Sequence, residues 1–246
     1  MKNILTLIFV HDQKIVLDYI NFNKFKMLDN VIYVFVGNKD STLIESYPNV
    51  IISKNLPYNI EQYPKLTSYT GWFSVWKNKL YNSFDYLNLF EYDINLSNNF
   101  DKIVKQNLNV DIIGYKPLNV HHINFIKHAP WSETLIQSIK KNYNVNVYDL
   151  IDNMPKDKEC SVTSNHTFSK KSFENYMEWV SPLIDDIKNL ELSGHQIERS
   201  ISLFYLIKKL KIKLIDDILT HFQFDSHQTQ NISQYKFQNE YIKLLN

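Results

Sequence analysis

Short, continuous apolar runs alternate with amphipathic stretches through the first half of the chain. Ile4–Val10 (ILTLIFV) is the first run, and Gln13–Phe25 then carries Ile15, Val16, Tyr19, Ile20 and Phe22 on one helical face. Val31–Val36 is a second run, closed by Gly37-Asn38-Lys39-Asp40; a short helix is expected over Ser41–Ser46 and a strand over Val50–Ile52. A helix over Lys65–Leu80, a strand over Tyr86–Ile94, a helix near Asn99–Gln106 and a strand over Val110–Tyr115 follow. Continuous apolar strands between amphipathic helices predict an α/β fold: a mostly parallel central sheet flanked by helices. The second half is less regular. It reads as helices over Trp131–Asn142, Ser172–Lys188 and Gly194–Leu210, with strands in Ser161–Phe168 and Ile212–Ile215, a helical C-terminal elaboration. No internal repeat or flexible linker interrupts the pattern, so one domain over residues 1–246 is expected.

In an open parallel sheet, ligands bind at the carboxyl ends of the strands. Those ends are His11-Asp12, Gly37 to Asp40, Glu91 to Asp93 and Tyr115 to Pro117. No Gly-x-Gly-x-x-Gly follows the first strand, and no Gly-x-x-x-x-Gly-Lys-Ser/Thr occurs. The two commonest phosphate cradles are missing, so a bound nucleotide would need its phosphates neutralised by a carboxylate-held divalent metal. Glu91 and Asp93 supply candidate ligands. In an extended chain they share a face, and adjacent like charges call for a cation. The same spacing also suits a solvated strand terminus.

Composition narrows the function. Balanced Lys plus Arg (27) and Asp plus Glu (26) leave a net charge of +1, which argues against a dedicated nucleic-acid binder. One cysteine excludes an internal disulfide framework and a Cys-rich zinc site, and suits a reducing, cytoplasmic setting. Met1–Val10 lacks the cleavage site of a signal peptide, and no run approaches the ~20 apolar residues of a membrane span. Abundant Asn, Ile and Lys, all with A/T-rich codons, fit a low-GC bacterium or a large DNA virus. Arg199 is the only arginine of the chain.

Leu66–Leu96 (LTSYTGWFSVWKNKLYNSFDYLNLFEYDINL) resembles GT-A-type glycosyltransferases of the capsular-polysaccharide and viral kind. In that group a Trp-rich helix precedes a strand ending in an Asp-x-Asp-like motif. The match runs through Thr70, Trp72, Trp76, Lys77 and Asn78 to Glu91-Tyr92-Asp93, where Glu replaces the first Asp and lengthens its reach. Asn165-His166-Thr167-Phe168, with Phe173, Tyr176 and Trp179, resembles the acceptor-side strand and helix, and Gly194-His195-Gln196-Ile197-Glu198-Arg199 resembles a helix start of the same group. The resemblance implies a GT-A-like fold, with residues 1–118 binding a nucleotide-diphospho-sugar, UDP-linked, and residues 119–246 facing a glycan or glycoconjugate acceptor. It implies that His11, Asp12, Gly37, Asn38, Lys39, Thr70, Trp76, Lys77, Tyr92 and Arg199 hold the donor. Glu91 and Asp93 would hold the metal, completed by His227 or His221; imidazole favours Mn²⁺ over Mg²⁺.

Positions i, i+3 and i+4 share a helical face, so His195, Glu198 and Arg199 reach one region. Glu198 suits a base acting on the acceptor hydroxyl, His195 a partner in that chemistry, and Arg199 a bidentate phosphate or carboxylate clamp. An ordinary amphipathic helix with surface charges carries the same residues. His121, His122 and His128, near Trp131, read as loop residues without zinc spacing. Two rival functions stay open: a sugar-nucleotide nucleotidyltransferase or hydrolase, and a non-catalytic binding protein on the same fold.

Overall fold

The computed structural model describes residues 2–120, 132–161 and 163–221. The chain runs β1 (Ile4–Val10), α1 (Gln13–Asn21), β2 (Val31–Phe35), β3 (Val50–Ile52), α2 (Tyr69–Lys77), β4 (Tyr86–Glu91), β5 (Ile94–Leu96), α3 (Phe100–Gln106) and β6 (Ile112–Tyr115). It continues with β7 (Pro117–Asn119), α4 (Glu133–Tyr143), α5 (Val147–Asp152), β8 (Glu159–Ser161), β9 (His166–Ser169), α6 (Lys170–Ile187), α7 (Ser193–Lys208), β10 (Ile212–Ile215) and β11 (Leu219–His221).

Seven strands form the central sheet in the order β10-β6-β9-β4-β1-β2-β3. All neighbours pair in parallel except β9, which lies antiparallel to both β4 and β6. Alternation along β1 explains the two-layered core. Leu5, Leu7 and Phe9 face one cluster, shared with α2, α4, α6 and α7; Ile4, Ile8 and Val10 face the other, shared with α1 and α3. Trp72 is fully buried in the first cluster, its ring centroid 4.6 Å from that of Tyr69 and 6.0 Å from those of Phe168 and Tyr176. A buried polar ladder crosses the sheet. Asn88 donates to Thr6 Oγ1 (3.1 Å) and accepts from Thr167 Oγ1 (2.6 Å), whose oxygen also meets the Tyr115 hydroxyl at 2.7 Å. Because each partner is satisfied only in this alignment, the ladder pins the register of β9.

Four expected elements differ. Ser41–Ser46 forms consecutive turns rather than a helix, capped by Asp40, which accepts from Thr42. The helix expected over Lys65–Leu80 is divided into a 3₁₀ turn, Pro64–Leu66, and α2, because Thr67 takes φ 56°. The strand expected over Tyr86–Ile94 leaves the main sheet after Glu91, bends at Tyr92-Asp93, and resumes as β5 paired with β11. Ser161–Phe168 contributes to two strands, β8 and β9, in different sheets. No helix among the described residues is long and apolar enough to cross a membrane.

Candidate functional site

The order β3-β2-β1-β4 reverses the direction of winding at β1, so a crevice opens at the carboxyl ends of β1 and β4. A cleft of about 490 Å³ lies there. Its walls come from the end of β1 (Phe9, His11), the end of β2 (Val36 to Lys39), the segment before α2 (Glu61, Pro64, Thr67, Ser68, Thr70) and the acidic end of β4 (Glu91 to Asp93). Two glycines permit this shape. Gly37 takes φ +86°, a conformation that strains any side chain. At Gly71 a Cβ would come within 2.6 Å of Phe9 and Val36, so the glycine lets α2 close on the strand ends.

The acids are tightly held. The Glu91 amide donates to Asn165 Oδ1 at 2.8 Å, and the Ser68 hydroxyl donates to Glu91 Oε1 at 3.1 Å. Burial pushes the Glu91 carboxyl up to about 8, with the negative charges of Asp93 and then Glu198 adding to the effect. Glu198 therefore stands in the same electrostatic neighbourhood. It accepts from the Ser164 hydroxyl (2.8 Å) and meets His195 Nδ1 (3.2 Å), an interaction that raises the His195 pKa above its ordinary value. The neighbours Ser164 and Asn165 thus tie Glu198 to Glu91 just before β9.

Asp93 Oδ1 is buried, has no hydrogen-bond donor among the described residues, and lies 3.8 Å from His221 Nδ1. Asn165 Oδ1 is occupied by the Glu91 amide, so its Nδ2 faces His221 Nε2 at 3.2 Å as a donor. Nε2 must then accept, which assigns the proton of a neutral ring to Nδ1, facing Asp93. At 3.8 Å from Asp93 Oδ1, Nδ1 is too far to hydrogen-bond it, and the His221 ring stands beside the acidic pair. Beneath the bend, Tyr19 donates to the Tyr92 carbonyl at 2.6 Å, and Lys24 Nζ reaches the Tyr19 hydroxyl at 3.1 Å. Burial lowers the Lys24 pKa to about 7, against the pull of Asp93.

Of the residues singled out from sequence, His11, Gly37, Asn38, Lys39, Thr70, Glu91, Tyr92 and Asp93 meet around the cleft. The His11 ring stands edge-on to that of Tyr92, centroids 5.0 Å apart; burial, then Lys39, lowers its pKa. Asp12 instead caps α1, accepting from the Lys14 amide at 2.8 Å. Trp76 and Lys77 sit at the far end of α2, where Trp76 is core and Lys77 Nζ rests 3.9 Å over its ring. They do not line the cleft, because α2 points its first turn at the strand ends. Arg199 is also outside the cleft lining, and its Nη1 donates to the His195 carbonyl at 2.9 Å. His227, with His121, His122, His128 and Trp131, lies outside the described residues. Sequence reading missed Glu61, Ser68 and Ser164 as site residues. Their hydroxyl and carboxylate groups sit in loops without periodicity, and nothing local marks them.

Two carboxylates in one another's field, one with an orphaned buried oxygen, suit a hard divalent ion. No group of three His, Cys, Asp or Glu among the described residues forms a metal cage by itself. Glu91 and Asp93 are the residues that would hold such an ion.

No protein-family model and no curated protein matches this sequence. Solved structures do. The apo structure of the bifunctional glycosyltransferase WbbM aligns with 90% of this chain at 14% identity and TM-score 0.63. This chain spans 45% of the WbbM chain, a little under half its length. Glucosyl-3-phosphoglycerate synthase from Mycobacterium tuberculosis aligns with 99% of this chain and 79% of its own at 10% identity and TM-score 0.43, in complex with phosphoglyceric acid. Its complex with Mg²⁺ and uridine diphosphate aligns at 11% identity and TM-score 0.42, covering 95% of this chain and 76% of its own. At such identities the likeness to WbbM speaks to fold alone: the chain has a GT-A-like α/β fold, with a mostly parallel seven-stranded sheet flanked by helices.

Proposed function

We propose that the protein is a glycosyltransferase that moves a sugar from a nucleotide-diphospho-sugar, UDP-linked, to a hydroxyl of a glycan or glycoconjugate acceptor. The observation that carries this reading is the position of the acidic pair. Glu91 and Asp93 close one end of a nucleotide-sized cleft at the sheet's switch point, with Glu198 in their electrostatic field. Residues of the first half, 1–118, line the donor cleft, and residues 119–246 supply Glu198 and its partners. His11, Gly37, Asn38 and Lys39 flank the nucleoside end. Asp93 and Glu91 hold a divalent ion, Mg²⁺ or Mn²⁺, which when bound supplies charge neutralisation of the departing diphosphate. Glu198, oriented by Ser164 and His195, takes the proton of the acceptor hydroxyl if the reaction inverts the anomeric centre. Ser68 and Asn165 keep Glu91 aimed at the cleft.

A panel of nucleotide sugars, assayed for released nucleotide with and without Mn²⁺ or Mg²⁺, tests the reading. Metal-dependent turnover of at least one donor is expected, and Asp93→Asn should lower it by about 100-fold or more, the scale of removing one preorganised electrostatic contact. Absence of turnover with every donor, with nucleotide binding unchanged in Asp93→Asn, would refute it.

A further inference from the structure

Glu61 is a buried acid, 2% exposed, in the wall of the cleft. Its conformation is set on three sides. Oε2 accepts the Gly37 amide at 2.6 Å, the main-chain carbonyl accepts from Asn38 Nδ2 at 3.1 Å, and its own amide donates to Asn59 Oδ1 at 3.3 Å. The second carboxylate oxygen, Oε1, is buried without a hydrogen-bond donor among the described residues. Leaving such an oxygen unpaired is costly, and exceptions of this kind in a cleft wall point to a ligand group.

The chemistry of that group follows from what surrounds it. A carboxylate repels phosphate, and the proposed diphosphate subsite is at Asp93 and Glu91. The part of the nucleotide that meets Glu61 is therefore neutral and carries a donor. Because Oε2 is already bonded to Gly37, Glu61 offers one oxygen, which suits a single N–H better than the paired hydroxyls of a ribose. We propose that Glu61 selects the nucleobase: Oε1 accepts the ring N–H of a uracil or guanine base and rejects cytosine and adenine, which present a ring acceptor at the corresponding edge. This rests on the nucleotide-sugar reading above and assigns its base specificity to one residue.

Isothermal titration of the full chain with UDP, GDP, CDP and ADP, in Mg²⁺, tests it and separates uracil from guanine. Wild type should bind UDP or GDP at least tenfold more tightly than CDP and ADP. Methylating the ring N–H of the preferred base should weaken binding by roughly ten- to a hundredfold, the loss of a hydrogen bond to a charged group. Glu61→Gln keeps a carbonyl for the Gly37 amide but puts an N–H where Oε1 stands, so it should shift the preference toward CDP or ADP. Circular dichroism checks that the variant folds, and the methylated nucleotide needs no variant at all. Equal binding of the methylated base, or an unchanged base preference in a folded Glu61→Gln, overturns the inference while leaving the transferase reading intact. So does a tenfold penalty for a 2′-deoxy nucleotide that Glu61→Gln abolishes, which would give the oxygen to the ribose. Failure of wild type to bind any nucleotide overturns both.

Discussion

His166 gives a prediction whose size can be worked from its surroundings. It lies on β9 in the middle of the sheet, opposite Leu89 and Gly114, and is fully buried. Neither ring nitrogen has a hydrogen-bond partner among the described residues. Burial alone lowers its pKa from 6.5 to about 3, since nothing nearby compensates a charge. Between those values the unfolded chain binds a proton that the folded chain refuses. Stability is therefore fully present above pH 6.5 and falls as pH drops toward 3. At pH 4.5 the two pH units below 6.5 cost the folded state about 1.36 kcal/mol each, or about 2.7 kcal/mol from this one residue. His166→Leu, close in volume and without a titrating group, should remove that loss. Urea unfolding of both proteins at pH 7.5 and pH 4.5 measures it. The variant's advantage should widen by about 2.7 kcal/mol between the two conditions, as the linkage requires. Contributions of other carboxylates and histidines cancel in the comparison, provided they are unaffected by the change. An advantage that stays constant across the two pH values would refute the argument, showing that His166 is not buried neutral in the folded protein.

Two further variants probe what packs behind the cleft. At Gly194, a Cβ would stand 2.9 Å from Thr67 Oγ1 and 3.1 Å from the Lys65 carbonyl. Helix propensity favours alanine by up to about 1 kcal/mol, but overpacking costs about 1–3 kcal/mol, so Gly194→Ala should lower the melting temperature and weaken nucleotide binding. A rise in melting temperature with binding intact would show that α7 does not press on the Thr67 segment. Tyr19→Phe removes the donor to the Tyr92 carbonyl and should destabilise by about 1–2 kcal/mol in urea unfolding. If the hydroxyl also positions Asp93, turnover should fall at saturating donor; an unchanged rate in a folded variant would make the contact structural only.

Much of the architecture was legible in the pattern of residues. Ile4–Val10 and Ile212–Ile215 are expected with their observed limits, and of the four strand ends marked for a ligand, those of β1, β2 and β4 line the cleft while Tyr115 to Pro117 does not. Short apolar runs report burial, and burial on both faces is what a covered parallel sheet demands. The same local code is silent on direction and partner. Nothing in His166–Ser169 announces that this strand inserts antiparallel between β4 and β6; only the long-range ladder of Asn88, Thr167 and Tyr115 aligns it. That insertion brings Ser164 and Asn165 to the cleft and joins Glu91 to Glu198 across more than a hundred residues of chain. Glu61 shows the same limit, since a lone acid in a loop acquires meaning only when Gly37 takes one oxygen and burial strands the other. Trp76 and Lys77 show the converse. Their motif is conspicuous in sequence, yet the direction of α2 turns them into the core and its rim. Periodicity encodes which face a residue buries, so the layers of this protein could be read locally. The links that tie the site together could not, because they are contacts between distant segments whose energies exist only once the sheet has closed.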